Sequence, residues 1–132
     1  MSETVPASVA EWVEKADVDY RSALALRRLR RSPVPEAVCF HAQQCAEKYL
    51  KALLLARALP SPRVHDLDVI SLMLNENLPA VTKIATDCTL LTQYAVEVRY
   101  PGGSATTDEA DEAVEAMRRV RQFARRALGL TR

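Results

Sequence analysis

The sequence predicts an all-α protein, an up-and-down bundle of about five helices, and three observations predict it. Proline cannot donate a backbone hydrogen bond and breaks helix interiors, and the seven prolines, Pro6, Pro33, Pro35, Pro60, Pro62, Pro79 and Pro101, cut the chain into five segments. Inside each segment apolar residues recur at three- and four-residue steps rather than in alternation. Two capping boxes mark helix starts at the places where the prolines say helices should begin.

The first segment runs from about Ser8 to Arg31. Ser8 and Glu11 form an S-x-x-E box after Pro6, and Trp12, Ala16, Ala23 and Leu26, with Tyr20 between, form an apolar stripe. The second runs from about Pro35 to Ala58 and is rich in Ala, Leu, Gln, Glu and Lys, all good helix formers. The third, about Asp66 to Asn75, is short and carries Leu67, Ile70, Met73 and Leu74. Val81, Ile84, Cys88, Leu91 and Ala95 give the fourth, about Pro79 to Val98, its helical spacing. The fifth, about Thr107 to Leu128, opens on the box Thr106-x-x-Glu109 and ends before Gly129, a residue suited to a helix C-terminal cap. No segment reads as a strand, and there is no internal repeat.

The length of 132 residues suits a single domain, with an ordered core over about 8–128. Hydrophobic residues make up 48% and charged residues 27%, which is ordinary globular usage and argues against disorder. No run approaches the roughly 20 apolar residues of a membrane span, and the N-terminus lacks a signal-peptide pattern, so the expected location is cytoplasmic. The net charge of +1 excludes a nucleic-acid binder recognised by bulk charge, though not a local basic patch. Three cysteines, Cys39, Cys45 and Cys88, and two histidines, His41 and His65, show no metal-ligand spacing, so no metal is expected and the thiols read as reduced core residues. With glycine only at Gly102, Gly103 and Gly129, no phosphate-cradling glycine loop can be built, and no cofactor is expected.

The second segment carries the most information. On a wheel of about 100° per residue, Val38, Ala42, Cys45, Ala46, Tyr49, Leu50, Leu53 and Leu54 occupy one half. Such a wide apolar face predicts a central helix touching two or three neighbours. His41, Gln44, Lys48 and Lys51 form a stripe on the other half, flanked by Gln43 and Glu47. Histidine and paired glutamines in place of uniform charge suggest specific hydrogen bonding.

The stretch Phe40-His41-Ala42-Gln43-Gln44-Cys45-Ala46-Glu47-Lys48-Tyr49-Leu50-Lys51-Ala52-Leu53 resembles the signature helix of the HEPN domain family. His65-Asp66-Leu67, opening a short helix, and Tyr94 followed by Arg99-Tyr100-Pro101 fit the same family in the same order, so the resemblance spans nearly the whole chain. It implies an all-α bundle of four or five helices, of a kind often encoded beside a minimal nucleotidyltransferase; many such domains form homodimers and many act in toxin–antitoxin or defence pairs. One branch consists of metal-independent endoribonucleases with an R-x4–6-H motif, in which Arg stabilises the phosphorane and His moves the proton. In this sequence nine residues separate Arg31 from His41, seven separate Arg57 from His65 and one separates Arg63 from His65, and no histidine follows Arg99. The motif is therefore missing. The reading this favours is a non-enzymatic module that binds a nucleotide, RNA or a partner nucleotidyltransferase. The rivals are a metal-independent endoribonuclease toxin, with His65 and Arg99 as its candidate catalytic residues, and a purely structural homodimer.

The candidate binding residues are His41, Gln44, Lys48, Lys51, His65, Asp66, Arg99 and Tyr100. Strict up-and-down alternation would bring the ends of segments two and four and the start of segment three to one pole, gathering Lys51, His65, Asp66, Arg99 and Tyr100. Cations and an imidazole there would suit a phosphate-bearing ligand. The same alternation predicts that the arginine-rich ends of the first and fifth segments, Arg27–Arg31 and Arg118–Arg126, form a second, basic pole.

Overall fold

A computed structural model describes residues 7–95 and 104–130. Five α-helices account for them: α1 (Ala7–Arg27), α2 (Pro35–Ala56), α3 (Leu67–Asn75), α4 (Ala85–Thr92) and α5 (Thr107–Ala127). A 3-10 segment, Pro79–Ile84, leads into α4, and no strand occurs among the described residues. This is the all-α bundle that the proline spacing and periodicity predict.

The boundaries follow local chemistry. Pro35 starts α2 because its fixed φ and missing N–H suit the first helical turn. Asp66 caps α3, its carboxylate accepting from the Asp68 and Val69 amides. Thr106 and Glu109 form the reciprocal capping box at the head of α5. The end of α5 is a Schellman turn. Gly129 takes φ +76°, its amide bonds to the Arg126 carbonyl at 3.0 Å, and the Leu130 amide bonds to the Arg125 carbonyl at 2.7 Å. Two expectations shift. α1 already begins at Ala7, so Ser8 lies inside the first turn rather than ahead of it. The fourth segment opens as a 3-10 segment behind the uncapped Leu78 and becomes α-helical only from Ala85.

α2 is the centre. All eight residues of its expected apolar half are buried, and it packs on α1, α5, α3 and α4. α1 and α5 both lie extensively along α2 and touch each other sparingly. Helix directions follow from side-chain contacts. Asp19 of α1 meets His41 and Lys48 of α2, and Trp12 meets Lys51, so α1 and α2 are antiparallel. Arg27, at the end of α1, pairs with Asp111 and Glu115 near the start of α5, while Asp17 pairs with Arg121 and Arg125 near its end. α1 and α5 are therefore antiparallel too, and their arginine-rich ends lie at opposite poles. The shared basic pole is not formed. The reason is the 57–66 connection, which returns along α2 instead of reversing at its end. His65 sits beside Glu47, in the middle of α2, and Asn77, past the end of α3, accepts from Arg57.

Leu91 and Tyr94 belong to the chain's own core, and Leu90 packs against it from a half-buried position. Val96 and Val98, further apolar residues of the fourth segment, lie outside the described residues. Cys39, Cys45 and Cys88 are all buried free thiols. Burial pushes the Cys39 and Cys88 thiols up to about 12 and raises Cys45 as well, so none carries thiolate near neutrality.

Candidate functional site

The polar stripe of α2 is divided between two buried carboxylates. Asp19, on α1, is 6% exposed. One of its oxygens lies 2.8 Å from His41 Nδ1 and the other accepts from Lys48 Nζ at 2.5 Å. Glu47, on α2 itself, is 5% exposed. It accepts from Gln43 Nε2 at 2.9 Å and Lys51 Nζ at 3.0 Å, and His65 Nδ1 lies 3.1 Å from both of its oxygens. Gln43 is fully buried and also donates to the His65 carbonyl at 3.3 Å. Gln44 in turn donates to Gln43 Oε1 at 2.7 Å.

The carboxylates lie beneath, and the lysines and imidazoles lie above. Side-chain exposure is 6% for Glu47 and 9% for Asp19, against 61% for His65, 30% for His41, 26% for Lys48 and 13% for Lys51. Burial alone would raise the Glu47 carboxyl, but the hydrogen bonds from Gln43, Lys51 and His65 outweigh it and hold Glu47 below the usual carboxylate range. Each imidazole thus has Nδ1 directed at an acceptor, so the Nδ1–H tautomer is favoured and Nε2 is turned away from the carboxylate. The surface left outward is a row of N–H donors and imidazole edges held in place from below.

The structure therefore brings His41 and Lys48 together through Asp19, and Lys51 and His65 together through Glu47, with Gln44 joined to the second group by Gln43. Asp66 is occupied as the α3 cap. Arg99 and Tyr100 lie outside the described residues. Sequence reasoning placed Gln43 and Glu47 only on the margin of the stripe. Both are buried and bonded to His65, Gln43 through its carbonyl and Glu47 through its ring.

A second polar cluster was not foreseen. The Tyr49 hydroxyl, deep in the α1–α2–α5 junction, donates to Asp17 at 2.5 Å and accepts from Arg125 at 3.1 Å. Asp17 also accepts from Arg121 Nε at 3.0 Å, and the Arg121 guanidinium lies 4.2 Å from the centre of the Tyr20 ring. Burial and the Asp17 acceptor both raise the Tyr49 phenol, while for Arg121 the favourable contacts outweigh burial and keep it protonated. The one available signal was the tyrosine on an otherwise apolar face, because a buried phenol needs a partner.

No curated protein sequence is significantly similar to this chain. Two solved structures are. TT1696 from Thermus thermophilus is 26% identical with a TM-score of 0.78, over 89% of this chain and 96% of its own. ST0689, described as an archaeal HEPN homologue, is 28% identical with a TM-score of 0.72, over 91% of this chain and 97% of its own. The HEPN domain family model matches residues 9–127, so the signature helix, the capped α3 and the helices around them lie within one continuous match, and the chain belongs to the HEPN domain family.

Proposed function

We propose that this protein is a non-catalytic HEPN module whose α2 face binds a phosphate-bearing ligand, a nucleotide free or presented by a partner minimal nucleotidyltransferase. One observation carries the reading: two buried carboxylates, Asp19 and Glu47, lie under the partly exposed side chains of Lys48, His41 and His65 and hold them in place, with Lys51, 13% exposed, held beside Glu47. Side chains restrained from behind lose less rotamer freedom on binding, and the lysine ammonium groups form charge-assisted hydrogen bonds to phosphate. Thermal shift against a nucleotide panel tests it. A nucleotide at a hundredfold excess over its Kd adds about 2.7 kcal/mol to stability. Lys48→Ala and Lys51→Ala should remove that shift while keeping the helical spectrum, and an unchanged shift in both variants refutes the site. Co-purification with a minimal nucleotidyltransferase, as in a toxin–antitoxin or defence pair, is the partner arm of the same proposal. The homodimer belongs to it as well, and a monomer in sedimentation equilibrium at tens of micromolar concentration rejects that part.

A second reading, a metal-independent endoribonuclease, is favoured by one feature. Glu47 holds His65 Nδ1, so an exposed Nε2 is available to accept a proton. RNA cleavage that survives chelation and is lost in His65→Ala supports it; no cleavage by the wild-type chain discards it.

A further inference from the structure

The seam between α1 and α5 holds a charge arrangement that the α2 face does not use. Because both helices pack on α2 and barely on each other, a groove opens between them. It consists of two depressions, of about 880 Å³ and about 520 Å³, which share Arg118. Arg27, Arg28 and Arg30 line the first, and Arg121, Arg125 and Arg126 line the second. The acidic residues on the seam are Asp111 and Glu115 in the first depression and Asp17 behind the second, so the seven arginines exceed the acids. From Thr107 to Arg126 the seam follows α5 for about 29 Å at 1.5 Å per residue.

The antiparallel pairing of α1 and α5 produces this line. Each helix is acidic first and basic last, so a parallel pair would gather all the arginines at one end. Antiparallel, they spread along the seam with the acids between them. Those acids also set the guanidinium positions, Asp111 holding Arg27 at 2.9 Å and Asp17 holding Arg121 at 3.0 Å.

We propose that this seam binds a nucleic-acid strand through its phosphates, without reading its bases. An extended row of positive charge fits a polymer whose charges recur along its length. Every basic residue lining the two depressions is arginine, whose planar fork matches phosphate oxygens in pairs. The aromatic ring in the lining, Tyr20, has Arg121 over its face, so base stacking has no platform there. This inference is independent of the α2 face.

The test is fluorescence anisotropy of a labelled mixed-sequence RNA of about 20 nucleotides with the full chain. If four phosphates are contacted, log K falls with log salt at a slope of about −3, so affinity drops roughly fiftyfold between about 50 and 200 mM salt. Substituting the exposed pair Arg118→Gln and Arg126→Gln together should weaken binding more than about tenfold at the lower salt and flatten the slope by about 1.4. Helicity and Tm confirm that the double variant folds, and Lys83→Gln, on the 3-10 segment, controls for lost charge. Single-stranded DNA and RNA of different sequence should bind within a few-fold of the first strand. Absence of binding at about 50 μM protein in the lower salt, a double variant that folds and binds as wild type, or a marked preference for one base sequence overturns the proposal. Polyglutamate competing as well as RNA also overturns it, because the groove would then be a site for an acidic protein.

Discussion

Removing the Asp17 carboxylate tests whether the α1–α2–α5 junction is held by one shared acceptor. Asp17 accepts from the Tyr49 hydroxyl, from Arg121 and from Arg125. Arg121 and Arg125 side chains are 21% and 15% exposed, and Tyr49 is fully buried. In Asp17→Ala two partly buried guanidiniums lose a shared carboxylate partner and the phenol loses its acceptor. Breaking a buried pair from one side costs about 3–5 kcal/mol, and partial exposure places the expectation at about 3 kcal/mol. Tyr49→Phe is milder, since Asp17 keeps both arginines; it removes the bond to Asp17 and the one from Arg125, and a single hydrogen bond to a charged group is worth about 1.5–3 kcal/mol. The double variant should cost less than the sum by about 1.5 kcal/mol, because the bond is lost only once. Urea unfolding followed by circular dichroism measures all four corners of the cycle. Additive costs, or Asp17→Ala costing under about 1 kcal/mol, would show that water already satisfies these groups and would refute a shared acceptor.

Three further outcomes are expected. Leu50→Ala, at a fully buried position of α2, should cost about 2–5 kcal/mol by chemical denaturation, and a cost under about 0.5 kcal/mol would mean the site collapses without a cavity. Glu47→Gln should lower stability at neutral pH but converge with wild type in acid. Glu47 is held below its ordinary 4.5, so its contribution is complete above that value and is lost as pH falls through the folded-state value; a gap that persists at pH 2 contradicts this sign. Thr106→Ala removes the acceptor for the Glu109 amide and should cost about 1 kcal/mol, with Thr106→Ser restoring most of it.

The elements were legible because their signals are local. Prolines, the Thr106–Glu109 box, the Asp66 cap and Gly129 each act within a few residues, and the apolar face of α2 follows from a fixed angle per residue. Directions were not legible. A connection such as 57–66 can reverse the chain at the end of α2 or carry it back along the helix, and contacts from Gln43 and Glu47 to His65 decide between them. That choice turns α5 over relative to α1 and changes a basic pole into a basic seam. In the site, the types of residue in the stripe were visible, but not their division between Asp19 and Glu47. That division depends on which neighbouring helix or loop covers each flank.

The sealed thiols make the chain a recorder of its own opening. Cys39 and Cys45 sit on α2 and Cys88 on α4, all without solvent access and all held in the unreactive protonated form. An alkylating reagent can reach them only through an excursion from the native state, so modification rates become opening free energies. Equal rates at Cys45 and Cys88 identify a bundle that opens as a unit. Faster modification at Cys88 identifies the α3–α4 layer as a separate cooperative unit that peels from α2 while the α1–α2–α5 layer stays closed. The native sequence thus carries a probe in each layer, and mass spectrometry can read both without introducing a label site.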